Sequence, residues 1–145
     1  MLKRRATAVW KGSGAKGSGE LDSTSGALKG VPYGAGTRFE NEDGRAGTNP
    51  EELIAGAHAG CFAMALAFQL GGAGHEPDAL NAEATVFLEK HDAGWSISKV
   101  ALKVEGDVPG ISETRFKEIA EKAKAGCPVS QALDVEITLE ASLKG

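Results

Sequence analysis

The spacing of apolar and polar positions changes repeatedly along this chain, and each change predicts a different element. Residues 5–10 (Arg-Ala-Thr-Ala-Val-Trp) read as a strand, the glycine-rich residues 12–19 as a flexible turn, and residues 20–24 as a second, polar strand, so the two are expected to pair as a hairpin. Residues 26–47 show no helical period and read as an extended loop with at most short strands. From 49 to about 70 nearly every residue is Ala, Gly, Leu, Ile, Phe or Met, which predicts a helix apolar on most faces and therefore buried. Thr48-Asn49-Pro50-Glu51-Glu52 supplies its start. Asn or Thr caps, Pro suits the first turn, and Glu51 stands three residues after Thr48, as a capping box requires. Gly71-Gly72-Ala73-Gly74 ends it.

Residues 81–90 alternate, with Ala82, Ala84, Val86 and Leu88 on one face; after a turn at 91–94, residues 95–104 return as the hairpin partner. Ser112 is placed to cap a second helix whose buried stripe is Phe116, Ile119, Ala120 and Ala123, with Gly126 at its C-terminal cap. Pro128 opens a short helix to about Leu133, and residues 135–143 alternate as a last strand. The order β-β-loop-α-β-β-α-α-β predicts an α+β fold with mainly antiparallel sheets in a single domain, 1–145. One small sheet cannot cover a helix apolar on so many sides, so packing against a second copy across a symmetric dimer is expected.

Composition narrows the function. Hydrophobic residues make up 41% and charged residues 25%, ordinary for a soluble protein. A net charge of −4 argues against nucleic acid or an anionic membrane surface as partner. The basic start Met1-Leu-Lys-Arg-Arg is not followed by the apolar core of a signal peptide, and no uninterrupted apolar stretch approaches the ~20 residues of a membrane span. A cytoplasmic location without membrane contact is expected. There a disulfide is more often catalytic than structural. Two Cys and three scattered His lack metal-ligand spacing, so no metal is expected. Gly12-x-Gly14 and Gly17-x-Gly19 lie between two strands, which is the wrong context for a dinucleotide.

The two cysteines carry the most specific chemistry. Cys61 sits inside the apolar helix, where a free thiol is often just a small buried hydrophobe. Cys127, before Pro128, is placed to cap the short helix with its sulfur facing the N–H groups of residues 129 and 130, which favours the thiolate; Lys122 and Lys124 add positive charge. Together the pair points to redox work. A peroxide-cleaving thiolate also needs a cation, and that cation an anion. Arg38 in its loop and Glu51 are the best candidates, although a solvated loop charge and a capping carboxylate would explain them as well. An unbroken helix separates Glu51 from Cys61 by roughly 15 Å, so Glu51 reaches that thiol only if the helix breaks near Ala55-Gly56 or through a partner subunit. His58 shares a helix face with Cys61 and could serve as a base, but a satisfied core or interface histidine is the commoner case.

Pro32-Tyr-Gly-Ala-Gly-Thr-Arg-Phe-Glu40, the run from Gly47 to Leu66 containing Ala-His-Ala-Gly-Cys61, and Lys122-Ala-Lys-Ala-Gly-Cys-Pro-Val-Ser-Gln131 together resemble the OsmC/Ohr family of hydroperoxide reductases, and more its OsmC branch. The resemblance covers essentially the whole chain. It implies an intertwined homodimer with sheets wrapped around central helices. It also implies a thiol-dependent peroxidase for organic hydroperoxides, acting more weakly on hydrogen peroxide, with Cys61 attacking, Cys127 resolving to a disulfide, and Arg38 with Glu51 organising the site. No cofactor is implied; the reductant would be a lipoyl-type or other small dithiol. Beside this stand two other readings: a non-enzymatic dimer that binds an apolar ligand between its helices, and a redox-sensing protein.

Overall fold

Alternation and turn glycines build the first sheet much as the pattern predicts. In the computed structural model, which describes residues 1–145, β1 (Ala6–Lys11), β2 (Ser18–Ser23) and β3 (Val31–Tyr33) form an antiparallel sheet in that order. Ala6 lies opposite Ser23 and Lys11 opposite Ser18, and Gly17 N–H closes the turn on Ser13 O at 2.8 Å. All six residues of β1 are exposed. The loop after β3 departs from expectation, because it carries a five-residue helix, α1 (Ala35–Phe39). One turn is too short to show a period. It forms because the Thr37 hydroxyl accepts from Gly34 N–H and donates to Gly34 O, both at 3.1 Å.

The chain divides into two compact units, Met1–Leu53 and Ile54–Gly145. The long helix α2 (Pro50–Gly72) begins in the first and continues through the second without a break at Gly56. Asn49 caps it, its Oδ1 accepting from Glu52 N–H at 2.8 Å. The expected Thr48–Glu51 capping box does not form. Thr48 donates instead to Glu52 Oε1 at 2.7 Å, which frees the Glu51 carboxylate.

The second unit holds the core. β4 (Ala79–His91) and β5 (Gly94–Asp107) pair antiparallel from Ala79↔Asp107 to His91↔Gly94, with an irregularity at Phe87/Leu88. Gly94 takes φ +122° at the turn, a conformation open to glycine. β6 (Glu136–Leu143) joins β5 in parallel, Lys99 opposite Glu136. A parallel return needs a crossover, and α3 (Glu113–Gly126) with α4 (Pro128–Ala132) supplies it. The core gathers Val100, Leu102 and Val104 from β5, the stripe Phe116, Ile119, Ala120 and Ala123 from α3, Phe62, Leu66 and Leu70 from α2, and Cys127. Gly106 permits this packing, since a Cβ there would lie 2.6 Å from Phe116 Cζ.

By length and average hydropathy α2 is apolar enough to cross a membrane, although no uninterrupted apolar run within it approaches that length. His58 and the flanking glycines interrupt an uninterrupted count, but they barely lower the average over the helix. Nor is α2 buried all round, since only 22% of its most apolar stretch is covered within the chain. Phe62, Leu66 and Leu70 are fully buried, whereas Met64 and Phe68 are 65% and 76% exposed.

Candidate active site

Helix spacing aligns two pairs of polar side chains. α2 carries His58 and Cys61 three residues apart, and α4 begins at Cys127 with Ser130 three residues on, so each pair shares one face of its helix. The two faces meet as two rungs. Cys61 Sγ and Cys127 Sγ are 2.8 Å apart, and His58 Nε2 is 2.8 Å from Ser130 Oγ. Both cysteines are free thiols. An S–S bond of about 2.04 Å requires the sulfurs to close by only about 0.8 Å.

Two helix ends fix Cys127. The expected C-cap, Gly126, lies inside the last turn of α3; Cys127 itself ends that helix, giving its N–H to Ala123 O at 2.9 Å, and also starts α4 with Pro128 at the first position. Cys127 is fully buried and Cys61 partly so. Of the two sulfurs, Cys61 is therefore the one nearer solvent.

Burial, followed by the contact with Cys127, pushes the Cys61 thiol above its ordinary range. Burial also works to raise Cys127, but hydrogen bonds from Cys61, from the Ser130 N–H and hydroxyl, and from Val129 N–H outweigh it and leave that thiol lowered. The Cys127 side chain makes no capping bond of ordinary length, yet a large, polarisable sulfur still feels amides aimed at it. By position alone the 2.8 Å contact could be a Cys127 S–H donating to Cys61 or the reverse. The Ser130 donors act on Cys127 alone, whereas Val129 N–H acts on both sulfurs, so Cys127 is the easier of the two to ionise. The expected contribution of lysine is not found: Lys124 is committed to Glu121 at 3.1 Å and Ile137 O at 3.2 Å, and neither lysine figures among the influences on Cys127.

In the first unit the structure brings Arg38 and Glu51 together. Arg38 Nε donates to Glu51 Oε1 and Oε2 at 3.0 and 3.2 Å, and Nη2 to Oε1 at 2.6 Å. The guanidinium also lies 4.9 Å from the Phe39 ring centre. The Glu51 side chain is 8% exposed and that of Arg38 38%, so the carboxylate is held while the cation keeps an open side. Arg45, the neighbouring alternative, forms no such pair; its backbone N–H binds Asp43. One polar member, Ser130, escaped the sequence reading. Its only signal was the i,i+3 spacing from Cys127 that a capping partner has.

A protein-family model described as OsmC-like protein matches residues 41–142. Peroxiredoxin OsmC of Escherichia coli is 51% identical over 143 residues, covering 99% of this chain and 98% of its own. An organic hydroperoxide resistance protein of Xanthomonas axonopodis is 32% identical over 98 residues, 64% of this chain and 67% of its own. The crystal structure of the organic hydroperoxide resistance protein OhrB of Bacillus subtilis superposes with a TM-score of 0.69 at 27% identity, covering 97% of this chain and 98% of its own. An OsmC-like protein of Vibrio cholerae shares the fold, with a TM-score of 0.76 at 17% identity over 97% and 99%.

Proposed function

Since the chain belongs to the OsmC-like protein family, we propose that it is a thiol-dependent peroxidase that reduces organic hydroperoxides to alcohols. The observation that carries this reading is the pair of free thiols in contact, one within reach of solvent and one sealed behind it. Ionised Cys61 attacks the distal oxygen of R–O–O–H. The O–O bond breaks, Cys61 becomes a sulfenic acid, and the alkoxide takes a proton to leave as an alcohol. Cys127 sulfur then attacks the sulfenic sulfur; an S–S bond forms, the S–O bond breaks, and hydroxide leaves as water. A small dithiol, of lipoyl type by family resemblance, returns the disulfide to two thiols and is itself oxidised. The reaction suits the cytoplasm, where such thiol pools are maintained.

Within one chain Cys61 is pushed up, so its ionisation needs an external cation. The Arg38–Glu51 pair of a second copy is the proposed source, consistent with an α2 that does not break at Gly56. A homodimer also explains the open faces of α2 and β1. The decisive measurement is consumption of cumene hydroperoxide with a dithiol. Cys61→Ser abolishes it, whereas Cys127→Ser allows one turnover and then overoxidation of Cys61. Wild-type turnover by Cys61→Ser would sink the assignment of the attacking thiol. One equivalent of peroxide consumes both thiols of a chain; if both persist, the ligand-binding alternative replaces this one.

A further inference from the structure

His58 has no part in the steps above, yet it is placed in a way a spectator histidine need not be. It is fully buried and heads a stripe at four-residue intervals whose other members, Phe62, Leu66 and Leu70, are apolar. A polar group in such a stripe costs stability unless it is bonded, and its bond goes to Ser130 at 2.8 Å. His58 Nδ1 is buried without a partner. An orphaned lone pair is better tolerated than an orphaned N–H, so the ring proton sits on Nε2. Nε2–H then donates to Ser130 Oγ, which leaves the hydroxyl hydrogen for another acceptor. Ser130 stands three residues after Cys127 at the start of α4, and its side chain is among the groups that lower the Cys127 thiol.

We propose that His58 is a positioning residue that, through Ser130, aims a hydroxyl hydrogen at the Cys127 sulfur and holds α4 in register with α2, so that the two sulfurs face each other. The inference rests on the reading of Cys127 as the resolving thiol. The geometry that carries it is the pair of matched rungs, 58 to 130 and 61 to 127, between two helices with the same three-residue spacing. Closure of the disulfide needs Cys127 as a nucleophile, and a thiolate is better than a thiol. A hydrogen bond received in place favours that form without bringing a full charge into the core. Other groups facing Cys127 are Cys61 on α2 and the amides of Val129 and Ser130 on α4; on α3, Lys124 is committed to Glu121 and Ile137 O, and Lys122 is exposed. Burial alone keeps His58 below the usual histidine range, so it is a neutral donor at neutral pH.

The test is the thiolate absorbance of Cys127 followed against pH in a Cys61→Ser background, where it is the one cysteine left. Ser130→Ala moves the midpoint up by about one pH unit, the loss of one hydrogen bond to a charged acceptor. His58→Leu, which leaves the hydroxyl unguided, moves it up by about half a unit, while His58→Gln, whose amide N–H reaches the Nε2 position, keeps it near the parent value. A purely structural histidine would not distinguish Gln from Leu in this profile. Midpoints for Ser130→Ala and His58→Leu equal to the parent overturn the proposal, and a shift with Ser130→Ala alone overturns the role of His58. If His58→Leu does not fold, by circular dichroism, His58→Asn replaces it: its shorter amide cannot reach Ser130, and its midpoint must rise as that of Leu would. No peroxide is used. Failure of wild-type protein to consume cumene hydroperoxide would therefore remove the peroxidase reading while leaving this titration standing, and the converse holds too.

Discussion

The thiol pair and the ion pair are built on different physical terms. Cys61, Cys127, His58 and Ser130 sit on two helices beside an apolar core, and apart from the two sulfurs themselves every group acting on them is neutral, an amide N–H or a hydroxyl. Arg38 and Glu51 are a full cation and a full anion, on a one-turn helix and at the start of a long one, joined through Nε and Nη2. Packing fixes the first region and charge fixes the second. Dipoles alone, in the first region, make the buried cysteine the easier of the two to ionise, rather than the one nearer solvent. The enzyme reading therefore needs both regions, because only the second offers a charge strong enough to move ionisation to Cys61.

The most severe way to break this division is to damage packing without touching a sulfur. Phe62 is fully buried next to Cys61 in sequence and belongs to the same cluster as Cys127. Phe62→Ala should cost about 3–5 kcal/mol of stability. Chemical denaturation checks this, and a loss below about 1 kcal/mol would mean the core around the thiols tolerates collapse into the cavity.

Arg38→Ala probes the other region. If Arg38 is the proposed cation for Cys61, its loss should lower kcat/KM for cumene hydroperoxide by about 10²–10³-fold. The fold should lose about 1–3 kcal/mol as well, because removing Arg38 leaves the nearly buried Glu51 carboxylate without its partner. Arg38→Lys should recover little, since a single ammonium cannot reproduce the two-nitrogen grip on Glu51. A kcat/KM within about threefold of wild type for Arg38→Ala would remove the guanidinium from the mechanism.

The division also explains what could be read from residues alone. Elements whose side chains pack have a period: the α3 stripe Phe116, Ile119, Ala120 and Ala123 is buried as its spacing foretold, and β4, β5 and β6 lie within a few residues of their expected bounds. Cys127 at the start of α4 was legible because Pro128 marks a first turn. Where a few hydrogen bonds decide, no period exists. α1 rests on Thr37 bonding Gly34, the cap of α2 on Asn49 rather than a Thr48–Glu51 box, and the His58–Ser130 rung on a contact 72 residues apart in sequence. That one chain would not cover α2 was expected from its apolar character on many sides, but which residues lie open was not, because an apolar helix looks the same whether its own chain or a second copy covers it.

The smallest expected effect concerns pH and sharpens the claim that the thiol region is held neutral. Desolvation lowers the His58 pKa in the fold relative to an unfolded chain, where histidine titrates near 6.5. As pH falls through 6.5 the unfolded chain takes up a proton that the fold still refuses, so stability present above that pH is lost progressively until the lower folded value is passed. Urea midpoints of the wild type should therefore decline between neutral and mildly acidic pH, and His58→Gln, which has nothing to titrate, should decline less over the same interval. Each is compared with its own midpoint at neutral pH, so any fixed cost of the substitution drops out. Parallel slopes for the two proteins would mean that His58 charges as easily inside the fold as outside it, and a rung made by a neutral imidazole could not then be maintained.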